Sequence, residues 1–117
     1  MSDEGWPVFD AAHVLARHGS EAALKVLAPM ALKTLTETRS VLESPLALPQ
    51  DQARVLHKMR GNALEFGLRA LAESTKPLEL ALRGLAPAGD ATPVDELRAR
   101  CLAQLAQAEA ALQPWLR

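Results

Sequence analysis

Cysteine is nearly absent from this 117-residue sequence. Cys101 stands alone among apolar neighbours, which excludes an intramolecular disulfide, fits a reducing cytosol and reads as core packing. Aromatic residues make up only 3% of the chain and glycine occurs six times, while β-branched residues are few, so little favours a sheet. A charge excess is also missing. The formal net charge of -1 leaves no basic excess to neutralise phosphates, which argues against a general nucleic-acid or acidic-surface binder, so any cationic function must be local. No apolar run approaches the roughly 18 residues needed to span a membrane. The opening MSDEGWPVFD is acidic and lacks the basic-then-apolar order of a signal peptide. A soluble cytoplasmic protein is expected. No glycine-rich loop is present to hold ATP, which excludes a self-sufficient kinase or ATPase. No serine, histidine and acid constellation is apparent either.

What remains is rich in alanine and leucine. With 49% hydrophobic and 23% charged residues, the chain has the composition of one soluble domain, residues 1–117, around one modest core. Prolines and glycines divide it into helices. A short first helix is expected after Asp10, whose carboxylate can cap it, with Phe9 and Val14 spaced as a hydrophobic staple. Gly19 ends that helix and Ser20 caps the next, which should run from about Glu21 to Glu43. Leu24, Leu27, Ala31, Leu35, Thr38 and Leu42 form its inward stripe, and Pro29 should kink it. The linker Ser44–Pro49 precedes a third helix, from about Gln50 to Phe66, with Gly67 near its end.

A fourth helix is marked by Leu68, Leu71, Thr75, Leu78, Leu82 and Leu85, bent by Pro77 and ended by Gly84. Thr92, Pro93 and Asp95 then read as a capping threonine, a first-turn proline and a first-turn acid. The last helix continues through Leu97, Cys101, Leu105, Ala108 and Leu112 toward Trp115. Trp6 and Trp115, near the two ends, are expected to cap the core. Short connections between long amphipathic helices predict an all-α, antiparallel four-helix bundle with a short additional N-terminal helix.

One stretch stands out, HKMRGNALEFG from His57 to Gly67. At about 100° per residue, Arg60, Gly61 and Leu64 lie within about 60° of His57, while Val55, Leu56, Met59, Ala63 and Phe66 gather opposite. The imidazole should therefore face solvent. Gly61 costs about 1 kcal/mol relative to alanine in a helix interior, which asks for a steric reason: a missing side chain lets a partner approach the ring. Leu64 is an apolar residue on the same exposed face, suited to docking. Arg60, Lys58 and Arg54 place cations around His57, of the kind that hold phosphoryl oxygens. The competing reading is an ordinary solvated basic face with a surface histidine. His13 and His18 lie roughly 140° apart on their helix and cannot share a metal, and His57 has no ligand-spaced partner, so no metal site is expected.

HKMRGNALEFG resembles the signature of histidine phosphotransfer (HPt) domains: a histidine, any residue, an aliphatic one, a lysine, a glycine and a small residue, with a second glycine ten positions after the histidine. The resemblance runs without gaps through GLRALAESTKPLELALRG and covers roughly Gln50 to Leu85. It implies a bundle in which His57, through Nε2, accepts a phosphoryl group from a receiver-domain aspartate and passes it on. Arg60 stands at the family's lysine, Gly61 at its glycine. Glu79 falls where an acidic or amide residue often orients the imidazole, and Arg83 lies one turn later on the same rim. Docking would use Gly61, Leu64 and Arg54.

The resemblance also implies response-regulator receivers or a hybrid sensor histidine kinase as partners. It implies no cofactor in this chain, Mg²⁺ being carried by the partner receiver. Arg60 for lysine, Asn62 for a small residue, and Pro77 just before Glu79 depart from the pattern. A monomer is expected. The alternative is an HPt-shaped interaction module that regulates a kinase or receiver by binding alone.

Overall fold

A computed structural model describes residues 7–116, and the expectation for Trp6 lies outside them. Five α-helices follow one another: α1 (Ala11–His18), α2 (Glu21–Glu43), α3 (Pro49–Glu65), α4 (Arg69–Leu82) and α5 (Val94–Leu112). A 3₁₀ turn, Gln113–Leu116, closes the described chain, which contains no strand. Helix α3 packs on α2 and α4, and α5 packs on α4 and α2, so the four long helices close a ring around one core.

Local signals account for most of the boundaries. The Asp10 carboxylate accepts from the backbone N–H of His13, and the Ser20 hydroxyl accepts from that of Ala23. Between them Gly19 takes a left-handed conformation, φ 89°, that ends α1. Val14 is fully buried, and Phe9 stacks on Phe66 with ring centroids 5.8 Å apart while meeting Trp115 edge-on at 6.3 Å. Trp115 thus packs against the core as expected. Pro29 and Pro77 each sit inside a helix that continues past them.

One expectation needs an addition and two need correction. The inward stripe of α2 also contains Ala28, fully buried beside Leu24, Leu35, Thr38 and Leu42, while Leu27 and Ala31 pack against the core from half-buried positions. Leu85 is not part of α4: the helix stops at Leu82, Gly84 turns the chain at φ 73°, and Leu85 is left exposed. Pro93 is the N-cap of α5, in extended conformation, with no side-chain cap. The Asp90 carboxylate instead accepts from the backbone N–H of Thr92, so the acid of the preceding turn orders the entry. That bond holds the Asp90 carboxyl below its usual range.

The core is almost entirely aliphatic. Its buried hydroxyls are satisfied within their own helices: Thr38 bonds the Thr34 carbonyl at 2.9 Å, and Ser74 and Thr75 bond those of Leu71 and Ala72 at 2.7 Å. Polar ties join the helices at the rim. Arg39 of α2 pairs with Glu109 of α5, and Arg98 of α5 donates to buried Gln52 of α3 at 2.9 Å. Arg17 makes two bonds to Glu65, at 2.7 and 2.8 Å, joining α1 to the end of α3.

The reversal between α3 and α4 is tight. Gly67 has φ 71°, and a Cβ there would lie 2.7 Å from the Asp10 carbonyl oxygen. Gly67→Ala is expected to lower the unfolding free energy by about 2–4 kcal/mol in urea titration. Gly89→Ala has open space but φ +86°, and should cost only about 1–2 kcal/mol. Equal losses would show that backbone strain alone acts at Gly67.

Burial pushes the Cys101 thiol from 9.0 up to about 11, with a bond to Ser74 opposing the rise. The folded state therefore holds this proton longer than the unfolded chain, and its contribution is lost as pH climbs from about 9 toward 11. Thiol reagents at mildly alkaline pH should label Cys101 readily only in denaturant; fast labelling of the native protein would contradict this burial.

Candidate functional site

Helix α3 buries Ala53, Leu56, Met59 and Ala63 on one side. Rotating it to hide His57 would bring Leu56 and Met59 into water, at about 1.5–3 kcal/mol each. A surface histidine offers nothing to offset that loss. The core stripe therefore dictates that His57 faces outward, and its side chain is 72% exposed.

Helix α4 runs alongside and brings Glu79 to the ring. Its Oε2 lies 3.3 Å from Nδ1 of His57, although the carboxylate is itself only 14% exposed. A carboxylate oxygen can only accept, so this contact calls for the neutral ring's hydrogen on Nδ1. Nε2 then carries the lone pair. At 3.3 Å the contact lies just beyond the usual N–H···O range and is not aligned as a hydrogen bond, so the carboxylate guides the ring by its charge and not by a tight bond. Arg83, one turn after Glu79, donates from Nε to the same Oε2 at 3.0 Å. Pro77, two residues earlier, does not displace Glu79 from the ring.

The other sequence-derived positions separate into distinct surroundings. Arg60 is half-buried on the His57 face, and its Nε is buried with no hydrogen-bond partner. That donor is covered, so what Arg60 brings to the His57 face is its charge, which favours an anionic group there. Gly61 is exposed, and a Cβ built there meets nothing within 4 Å, so the space above it is open to a partner. Leu64 is 38% exposed. It lines a small pocket of about 190 Å³ with Pro7, Asp10, His13, Gly67 and Arg69, so the open face runs from His57 to the foot of α1.

Arg54 is exposed but already pairs with Asp51 at 3.6 Å. Lys58 does not join this group: it lines a groove of about 610 Å³ on the other shoulder of α3, with Asn62, Phe66 and the α2 residues Leu27, Met30 and Ala31. Among the described residues no group of three histidine, cysteine or acidic side chains is placed to hold a metal.

Sequence reasoning missed two features. One is the groove between α2 and α3, with exposed Met30 in its wall and exposed Val26 one turn before it on α2. Their i,i+4 spacing on the polar face was the available signal. The other is that Arg83 reaches the site through Glu79, for which the i,i+4 acid-to-arginine spacing was the signal.

Chemically, the site offers an exposed imidazole, a carboxylate beside its Nδ1, a cation on the same face and open space above Gly61. Compared with known proteins, the chain matches no family model, no curated protein and no solved structure.

Because nothing touches a Cβ at Gly61, Gly61→Ala should raise the unfolding free energy by about 1 kcal/mol in urea titration. A decrease would mean that the glycine is required by the folded chain itself rather than by what docks on it.

Proposed function

We propose that this protein is a phosphorelay intermediate of the HPt kind, accepting a phosphoryl group on His57 from a receiver-domain aspartate and passing it to another receiver. In this reading the four long helices are an antiparallel four-helix bundle and α1 is the additional N-terminal helix. The domain acts as a cytoplasmic monomer whose partners are receivers or a hybrid sensor histidine kinase. The observation that carries the proposal is the ring's two-sided environment: Nδ1 against Glu79 at 3.3 Å, with the side chain otherwise 72% exposed.

The chemistry follows from that arrangement. The Nε2 lone pair attacks the phosphorus of an aspartyl phosphate from the face opposite the carboxylate oxygen. The N–P bond forms as the P–O bond to the aspartate breaks, and the carboxylate leaves with the electron pair. The ring keeps its Nδ1 proton and becomes cationic, and Glu79 sits where that positive charge develops. Arg60 is placed to draw on the phosphoryl oxygens. The partner receiver contributes Mg²⁺ and most of the transition-state stabilisation. Reversal of the same steps returns the group to a second aspartate. No described side chain stands as a base beside Nε2 to activate water, which favours a persistent phosphohistidine.

Incubation with a phosphorylated receiver should place acid-labile label on the protein, and His57→Gln should abolish it while leaving the fold intact by circular dichroism. Equal labelling of the variant would sink the assignment. Retention of cellular function by His57→Gln would instead favour an interaction module acting by binding alone. Gly61→Ala separates the two roles of that position: transfer from a receiver should slow by about 5- to 30-fold, the effect of about 1–2 kcal/mol of lost docking. Transfer as fast as in the parent would show that no partner uses the opening above Gly61.

A further inference from the structure

Glu79 faces two donors with one oxygen. Its Oε2 accepts from Arg83 Nε at 3.0 Å and lies 3.3 Å from Nδ1 of His57. The guanidinium therefore holds the shorter contact on the atom that the imidazole needs. As a brace for the fold this pair contributes little, because Arg83 is 42% exposed and both residues already lie in one helical segment. Its effect is geometric. A glutamate held only by a long contact to an exposed ring is free to swing its carboxylate into water. The bond from Arg83 Nε removes that freedom, and the oxygen still has a second lone pair toward the ring.

The consequence falls on the ring's tautomer. A neutral imidazole in water prefers its proton on Nε2, which would leave no lone pair on the atom that faces solvent here. His57 is largely exposed, so solvent alone would impose that preference. Glu79 is the one polar side chain recorded against the ring among the described residues.

We propose that Arg83 is a positioning residue: acting through Glu79, it holds His57 in the tautomer with hydrogen on Nδ1 and the free lone pair on Nε2. The effect on transfer rate rests on His57 being the phosphoryl acceptor. The tautomer itself is a property of the unphosphorylated protein and can be read without any partner.

Nitrogen-15 NMR of histidine-labelled protein, at a pH where the ring is neutral, reports the two tautomers directly. The parent protein should show His57 mainly protonated on Nδ1. Arg83→Ala should shift the ratio several-fold toward the Nε2-protonated form, with an unchanged urea midpoint, and Arg83→Lys should restore part of it. In a Glu79→Ala background the same Arg83→Ala change should add nothing. An unchanged ratio in Arg83→Ala, or an equal further shift in the Glu79→Ala background, would overturn the proposal, the latter by showing direct action on the ring. Transfer from a phosphorylated receiver should slow in parallel in Arg83→Ala, through kcat rather than KM. Should the tautomers behave as expected while no receiver labels the protein, the positioning role stands and the phosphotransfer reading falls.

Discussion

At Gly67 the backbone turns with φ 71°, in a space so close that a Cβ would lie 2.7 Å from the carbonyl oxygen of Asp10. The Asp10 N–H in turn donates to the Gly67 carbonyl at 2.9 Å, and the Ala70 N–H donates to Pro7 at 3.2 Å. This knot ties the chain leading into α1 to the reversal between α3 and α4. It also fixes how far along the two helices any pair of residues must meet. His57 stands ten residues before Gly67 and Glu79 twelve after it. At about 1.5 Å per residue those are about 15 and 18 Å from the turn, a near match. A carboxylate from one helix reaches an imidazole on the other because the turn between them allows so little slack.

The same turn explains how an exposed ring can be oriented at all. Most surface side chains are left to water, which imposes no direction. Here α3 is rolled by its aliphatic stripe until His57 faces out, and α4 is placed so that Glu79 is largely covered while still touching Nδ1. The carboxylate is shielded enough for its charge to be felt, and Arg83 holds it by the same oxygen that faces the ring. Order on one nitrogen and access at the other thus come from two different helices. Neither helix alone could supply both, since side chains on a single α-helix leave a common surface in similar directions.

Much of this was legible in the sequence, for identifiable reasons. The bounds of α2 follow from Ser20 and from the prolines after Glu43, and those of α1 from Asp10 and Gly19, because caps and breakers act within a few residues of where they stand. The exposure of His57 and the openness at Gly61 follow from helical period alone. Glu79 was reachable only through the resemblance, since nothing in local spacing says which residue of α4 faces which residue of α3. The entry to α5 was misread because Thr92 and Pro93 fit a capping pattern, while Asp90, two residues upstream, captured the Thr92 N–H first. Lys58 looked like part of the histidine's basic surround by proximity in sequence. One residue is a rotation of about 100°, enough to carry it over the shoulder of α3 into the groove against α2.

That groove bears on how a partner could be selected. The face at His57, Gly61 and Leu64 is exposed, and Gly61 presents only backbone to whatever approaches. Such a surface admits a reacting group without discriminating strongly among those who bring it. Discrimination needs shape and desolvation, which concave apolar ground supplies better than an exposed ring and a glycine. The small pocket walled by Leu64 lies at one end of the histidine face, and the larger α2–α3 groove lies on its flank, floored by Leu27, Ala31 and Phe66. In a phosphorelay the chemistry at His57 would be common to every receiver. On the proposed reading, the residues that separate one receiver from another would then lie beside the site, and few groups would be needed at the site itself.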